Sequence, residues 1–421
     1  MRTDSLADRV RSLAAVDLAA MLSPDRLLAP GPDDEAQTWA VIARRLEEIQ
    51  RDEINAGRPQ LDAESAEAVA QDVFDELLRL GPLQRHLADH DVEEVMVNGF
   101  ERAFAIRTGG RKEHITSGFS SEVELHAFVA RTVAATGRRL DQASPAVDAR
   151  LPDGSRLHAI VPPLAPFTCL TIRRHRLLAH NLSDLEALGT LSAALKSFLW
   201  TSVRAGLNIL ISGGTASGKT TTLNALSSAI PTSERVVTIE ETGELALSRH
   251  LDDCIALESR FANVEGVGRV AIRSLVRHAL RMRPNRIVVG EVRGPEALDM
   301  LAAMNSGHPG SMGTIHADGP RQALSKLRTY AMAAEERLTS EVVTEMIGET
   351  VDVIVQLRSE PDGKRSVCAV SEVAGVEAGR PLTNDLFAST GWGPAGWTGL
   401  VPRSIQKLTA AGLDLAQLEQ G

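Results

Sequence analysis

One short segment of the chain combines bare backbone with a single cation. Residues 212–222 read SGGTASGKTTT, which fits the spacing G-x-x-x-x-G-K-[ST]. Glycines let backbone N–H groups turn towards an anion, the lysine adds a positive charge for β- and γ-phosphates, and the threonine hydroxyl suits Mg²⁺. The pattern predicts a P-loop that binds phosphate through Gly213, Gly214, Thr215, Ala216, Ser217, Gly218, Lys219, Thr220 and Thr221.

Acidic residues follow two other apolar runs. In RIVVGEVRG, Glu291 comes just after three aliphatic residues, where a carboxylate can order a water molecule or hold magnesium. In VVTIEETGEL, the pair Glu240 and Glu241 ends a similar run, with Glu244 close behind. These carboxylates are candidates for work near Mg²⁺, although a solvated acidic loop would have the same composition.

Two histidines lie in the glycine-rich segment GHPGSMGTIHADG. His316 follows a short apolar run, so it is a candidate donor to a γ-phosphate. His308 precedes that run, and a structural role explains it nearly as well.

Arginines form a separate electrostatic pattern. In DARLPDGSR, the Pro-Asp-Gly turn predicts a hairpin in which Arg150 and Arg156 face each other, and Arg173 adds a third charge nearby. Like charges directly opposite are unfavourable, so we expect an anion such as a nucleotide phosphate between them, unless the side chains splay into water. A second set recurs every fourth residue, at Arg269, Arg273, Arg277 and Arg281, and favours a solvated or interface helix face over direct contact with a ligand.

The elements that position these residues follow from the hydrophobic pattern. LNILISG, VVTIE, RIVVGE and SMGTIHA are short apolar runs separated by helical segments, which indicates buried parallel strands. The earlier part of the chain alternates with a period of two and carries Asn-Gly and Gly-Gly turns, which predicts antiparallel strands.

Composition limits the partners that we expect. The formal net charge of −10 argues against broad nucleic-acid binding, so direct binding of nucleic acid is not expected. The three cysteines are too few and too dispersed for a disulfide framework or a four-cysteine zinc site, and they favour a cytoplasmic location. No apolar run reaches the length of a membrane span, so we expect any membrane association to be peripheral and through partners.

These motifs together resemble the type II and type IV secretion and pilus-assembly ATPases, most of all the CpaF-like branch of tight-adherence (Flp) pili and related conjugal-transfer ATPases. The likeness covers about residues 70–375, through segments such as GRRLDQASPAVDARLPDGSRLHAIVPPLAPF, ISGGTASGKTTTLNAL and ALRMRPNRIVVGEVRGPEALDMLAAMNSGHPGSMGTIHA. The resemblance implies a homo-hexamer that binds ATP and Mg²⁺ and works on inner-membrane platform proteins. It also implies Lys219 and Thr220 as the Walker A pair and Glu291 as the Walker B acid.

The resemblance further implies an acidic box, a histidine box and arginines that reach the nucleotide from the N-terminal domain. They correspond to Glu240, Glu241, Glu244, His316, Arg150, Arg156 and Arg173. The acidic box here reads Ile-Glu-Glu, where the family usually has Ile-Glu-Asp.

We therefore expect an α/β protein with a RecA-like P-loop NTPase core, a preceding α+β N-terminal domain and N-terminal helices. The expected segments are a helical segment at 1–80, a PAS-like α+β domain at 81–178, a linker at 179–189, the core at 190–360 and a tail at 361–421. The expected function is an ATPase that powers pilus assembly or secretion through domain closure. The alternatives are a conjugal-transfer ATPase that serves DNA transfer and a nucleotide switch that does not hydrolyse.

Overall fold

The computed structural model describes residues 6–22, 26, 30–174, 179–260 and 267–419. The chain divides into two compact units, Met1–Arg176 and Leu177–Gly421. The expectation that helices precede an α+β segment, and that a strand–helix core follows, is met by the order of elements along the chain.

The first unit begins with helices that share a small hydrophobic core. Their bounds are α1 Leu6–Met21, α2 Pro32–Asn55 and α3 Ala63–Leu78. Asp62 accepts a hydrogen bond from the Ser65 backbone N–H and so caps α3, as the sequence predicts. Trp39 stacks on Phe74 with ring centroids 4.6 Å apart, which ties α2 to α3 in this core.

The rest of the first unit is a six-stranded antiparallel sheet in the order β3-β2-β1-β6-β5-β4. A short helix, α4 (Gln84–Ala88), precedes the sheet, and α5 (Glu122–Ala135) packs its apolar side against one sheet face. The bounds of the strands are β1 Val92–Asn98, β2 Ala103–Arg107, β3 Lys112–Ile115, β4 Ala146–Arg150, β5 Arg156–Ile160 and β6 Cys169–Arg173. The residues of α5 that are buried are those that the sequence places on one side: Leu125, Phe128, Val129 and Val133.

The second unit is built on a nine-stranded mixed sheet in the order β15-β14-β13-β12-β7-β11-β10-β8-β9. Its parallel part comprises β7 Ile209–Gly213, β8 Val236–Glu240, β9 Cys254–Glu258, β10 Arg286–Val292, β11 Met312–His316 and β12 Val353–Ser359. Its helices are α6 Leu182–Ala187, α7 Ala193–Arg204, α8 Lys219–Ser227, α9 Ile272–Ala279, α10 Glu296–Asn305, α11 Pro320–Met332 and α12 Ser340–Thr350. Two hydrophobic cores contain residues of this sheet.

The sheet continues beyond residue 360. Strands β13 Arg365–Glu377, β14 Arg380–Ala388 and β15 Gly396–Trp397 extend it in antiparallel fashion from β12, and the short helices α13 (Ile405–Ala410) and α14 (Leu415–Glu419) follow. Phe387 of β14 is fully buried, and its ring lies 5.2 Å from that of Phe198. Residues of the segment 361–419 therefore contribute to the core of the second unit, whereas the sequence predicted a tail at 361–421. Among the described residues, no helix is long and apolar enough to cross a membrane.

Candidate functional site

The predicted P-loop joins the carboxyl end of β7 to the first turn of α8. A Cβ atom at Gly213 would lie 2.3 Å from the Ser217 hydroxyl oxygen, so only glycine fits the first position. Gly218 has φ +93°, which a residue with a side chain rarely adopts, and Ala216 has φ +58°. The loop is thus a tightly folded turn that exposes backbone amides at the start of a helix.

Lys219 lies over this loop. Its Nζ donates hydrogen bonds to the backbone carbonyl oxygens of Gly213 at 3.1 Å and Gly214 at 2.8 Å. Thr220 follows in the first turn of α8, partly exposed. The ammonium group and a hydroxyl are therefore both available beside the loop amides, as binding of a triphosphate with Mg²⁺ requires.

The order of the strands brings the other candidates to the same edge of the sheet. The neighbours of β7 are β11 and β12, followed by β10 and β8 on the β11 side, and all five run parallel. His316 at the end of β11 is directly paired with Gly213. Glu291 and Glu240 lie at or near the ends of β10 and β8. Ligands of open α/β sheets bind at this carboxyl edge, so the predicted residues of the second unit share one region.

Arg293 connects two of the carboxylates. One of its terminal nitrogens donates to Glu291 Oε2 at 2.6 Å, and the other donates to Glu241 Oε2 at 3.2 Å. The hydrogen bond to Glu291 raises the pKa of Arg293 above its usual value, so the guanidinium is charged at every pH of interest. The structure thus places Glu291 and Glu241 around a shared cation.

Glu240 has a different environment from Glu241. The residue is 5% exposed, and its carboxylate accepts hydrogen bonds from the backbone N–H groups of Glu244, at 2.9 Å, and Leu245, at 3.1 Å. Ala246 in turn donates to the Asn224 side chain of α8 at 2.9 Å. Glu240 therefore holds the acidic loop in shape, and Glu241 is the exposed member of the pair.

Three side chains fix the turn that follows His316. Lys326 of α11 donates to the His316 carbonyl oxygen at 2.8 Å, and Ser212 donates to the Ala317 carbonyl oxygen at 3.3 Å. The Gln356 amide of β12 also donates to Ala317, at 3.2 Å. The backbone of the histidine turn is thus tied to the P-loop strand β7, to β12 and to α11.

Two sequence candidates lie elsewhere or have another role. His308 precedes β11, at the opposite end of the strand from His316, and contacts the Ala303 carbonyl oxygen at 3.0 Å.

The arginine set predicted to form a solvated or interface face is partly paired within the chain. Arg273 and Arg277 both bind Asp299, at 2.6 and 2.7 Å, and both contact Glu336. Arg273 is only 14% exposed, so this pair is a structural ion network.

The predicted arginine row is present in the first unit. Arg150 of β4 is paired with Arg156 of β5, as the hairpin predicts, and Arg156 is paired with Arg173 of β6. Arg150 and Arg173 are exposed, while Arg156 is partly buried. Three guanidinium side chains therefore lie side by side on neighbouring strands, an arrangement suited to an anion.

Sequence reasoning missed four residues that touch the site of the second unit: Arg293, Lys326, Gln356 and Arg365. Arg293 stands two positions after Glu291, so its proximity could have been inferred from the strand. Lys326, Gln356 and Arg365 belong to distant elements, and only the order of the sheet brings them to the P-loop.

Comparison with known proteins identifies the family. The family model described as Type II/IV secretion system protein matches residues 76–379. A putative conjugal transfer protein of Mycobacterium tuberculosis is 37% identical over 304 residues, which is 70% of this chain and 85% of the relative. Protein VirB11 of Agrobacterium fabrum is 32% identical over 314 residues, which is 67% of this chain and 88% of that protein.

Among solved structures, the VirB11 ATPase of the Brucella suis type IV secretion system in complex with sulphate is 27% identical, with a TM-score of 0.39. That match covers 69% of this chain and 95% of the other. The family model includes the P-loop, Glu291 and His316, which the fold brings to one edge of the sheet. The chain therefore belongs to the Type II/IV secretion system protein family, and it is an ATPase of that family.

Proposed function

We propose that the chain hydrolyses ATP with Mg²⁺ at the carboxyl edge of the sheet in the second unit, and that hydrolysis powers pilus assembly or protein secretion. The observation that carries this proposal is that Lys219, at the start of the helix that follows β7, lies at the same edge of the sheet as Glu291 and His316, which stand near the ends of neighbouring parallel strands. The carboxyl edge of the sheet then offers a cation, a carboxylate and an imidazole to one triphosphate.

Each residue has a defined part in this proposal. The loop amides and Lys219 bind the β- and γ-phosphates, while Thr220 and Glu291 would hold magnesium. When bound there, magnesium would neutralise charge on the phosphate oxygens. Glu291 also orients the attacking water, and Glu241 adds negative charge near Glu291. His316 donates a hydrogen bond to the γ-phosphate. Glu240 contributes by fixing the loop that carries Glu241.

The proposed assembly is a homo-hexameric ring of the CpaF-like branch. It works at the inner face of the cell membrane, where domain closure on ATP and reopening after hydrolysis move inner-membrane platform proteins. The family supports a role beside such membrane components. Native mass measurement of the purified protein with ATP and Mg²⁺ tests the ring.

The central experiment is Lys219→Ala. Loss of the ammonium group removes the one side-chain cation that the P-loop sequence supplies to the phosphates, so we expect hydrolysis to fall by about 100-fold or more. The measurement is phosphate release by the full-length protein with ATP and Mg²⁺, together with pilus or substrate export in cells. Lys407→Ala, at an exposed lysine of α13, is the control and should behave as wild type. Undiminished hydrolysis by Lys219→Ala would refute the site.

The arginine row supplies a second prediction. We propose that Arg150, Arg156 and Arg173 stabilise charge on the terminal phosphate during its transfer, as arginines do in other phosphoryl-transfer enzymes. Arg156→Gln should then lower kcat at least about tenfold while the Kd for ATP changes less. Arg111→Gln is the control, because Arg111 is exposed in the turn between β2 and β3 of the same sheet and lies 3.9 Å from its acidic partner, Glu113. Equal kcat in the two variants would argue against the role.

A second candidate function is DNA transfer. It is favoured by the Mycobacterium tuberculosis relative, which is described as a putative conjugal transfer protein. Strong stimulation of hydrolysis by DNA, in the same phosphate-release assay, would support this candidate. Retention of ATP by the wild-type protein without phosphate release would instead favour a nucleotide switch.

A further inference from the structure

Arg365, the first residue of β13, reaches the P-loop from the C-terminal part of the sheet. Its Nε donates a hydrogen bond to the Ala216 carbonyl oxygen at 2.9 Å. Its side-chain stem also lies against the loop, because a Cβ atom at Gly218 would be 3.3 Å from Arg365 Cδ. One side chain thus contacts the P-loop at two points, two residues apart.

The contacted carbonyl belongs to the least regular part of the loop. Ala216 has φ +58°, a conformation that costs free energy for any residue with a side chain. It is exposed, so neighbouring residues do not enclose it. A charge-assisted hydrogen bond to its carbonyl favours the conformation that the loop must hold to present its amides to phosphate.

The hairpin that carries Arg365 is itself firmly held. The Glu360 side chain is 6% exposed and accepts hydrogen bonds from the Gly393 backbone N–H at 3.1 Å and from the Ser366 hydroxyl. Arg358 pairs with the same carboxylate at 3.3 Å. On the other side, Leu357 of β12 is paired with Gly213, where the P-loop starts. Arg365 therefore projects from a fixed support beside the loop.

We infer that Arg365 is a positioning residue for the P-loop, which holds Ala216 so that the loop amides are ready for the phosphates of ATP. It acts by preorganising the loop before the nucleotide arrives, and so lowers the cost of binding. The inference rests on the proposed nucleotide site, and it extends that site to the C-terminal hairpin.

The test is nucleotide affinity in three variants of the full-length protein. Arg365→Ala should raise the Kd for ATP and for ADP about tenfold and raise KM in parallel, while kcat at saturating ATP stays within about twofold. Arg365→Gln keeps a hydrogen-bond donor without the charge, and Arg365→Lys keeps the charge without the planar donor group. Each should weaken binding less than alanine does. Lys364→Ala is the matched control, since Lys364 is exposed and pairs with Asp362 on the same turn.

Melting temperature without nucleotide separates positioning from folding. If Arg365→Ala lowers the melting temperature, the nucleotide affinities of Arg365→Gln and Arg365→Lys decide between the two roles. Both of these variants retain a side-chain stem against Gly218. Wild-type affinity in the folded variants would overturn the inference, as would a loss confined to kcat. Lys219→Ala in the same assay distinguishes failure of the Arg365 inference from failure of the proposed nucleotide site. Normal binding and hydrolysis by Lys219→Ala would refute the site itself.

Discussion

Arg293 lies between two carboxylates at the edge where ATP is proposed to bind, so its charge competes with any metal cation for Glu291 and Glu241. An exposed ion pair contributes roughly 0.2–1 kcal/mol. For Arg293→Gln we therefore expect the Mg²⁺ concentration for half-maximal hydrolysis to fall about two- to fivefold. We also expect a lower kcat, because Glu291 loses the partner that orients it.

Magnesium titrations at saturating ATP measure both effects. Arg204→Gln is a suitable control, because Arg204 is exposed at the end of α7, before β7 begins. An unchanged magnesium dependence in Arg293→Gln would show that the guanidinium does not compete with the metal.

At the scale of elements, the turn after His316 is tied to two strands and one helix of the second unit. Ser212 of β7 and Gln356 of β12 share the Ala317 carbonyl oxygen, and Lys326 of α11 holds the carbonyl of His316. The P-loop strand and the histidine turn are therefore joined by a side-chain hydrogen bond in addition to the pairing of β7 with β11. The imidazole is placed by the strand order and by this turn together.

The elements of the parallel sheet could be predicted because buried parallel strands appear as short apolar runs. The runs ending at Gly213, Glu240 and Glu291 are all strands, and each candidate stands at the predicted strand end. The hairpin of Arg150 and Arg156 was also predictable, since a Pro-Asp-Gly turn fixes its register.

Other features could not be predicted from the sequence for physical reasons. The polar residues of β13, such as Arg365 and Glu372, interrupt its apolar pattern, so the segment after residue 360 does not look like part of a core. The contact of Arg365 with Ala216 joins the start of β13 to the P-loop, which is remote in the chain, and no local spacing encodes it. The role of Glu240 as an acceptor for backbone N–H groups depends likewise on the path of its own loop.

At the scale of the whole molecule, the nine-stranded sheet makes the C-terminal strands part of the second unit, which contains the P-loop. Phe387 is fully buried between the rings of Phe198 and Trp397, at 5.2 and 5.3 Å. Phe387→Ala should lower the free energy of unfolding of the second unit by about 3–5 kcal/mol, because it removes a large buried side chain and leaves a cavity.

Chemical denaturation of the full-length protein measures this loss. Leu382→Ala provides the comparison on the same strand, because Leu382 is 42% exposed and should cost far less. Similar small losses for both variants would mean that the segment after residue 360 is dispensable for the core.

The position of β7 in the sheet also has a consequence for biosynthesis. Both strands that flank it, β11 and β12, and the arginine that contacts its loop come much later in the chain. The P-loop therefore leaves the ribosome long before β11, β12 and Arg365 do, and contacts within its own segment do not supply the neighbours that it has in the folded unit. On the proposed role of Arg365, a nascent chain would reach full affinity for nucleotide only after translation has passed this residue.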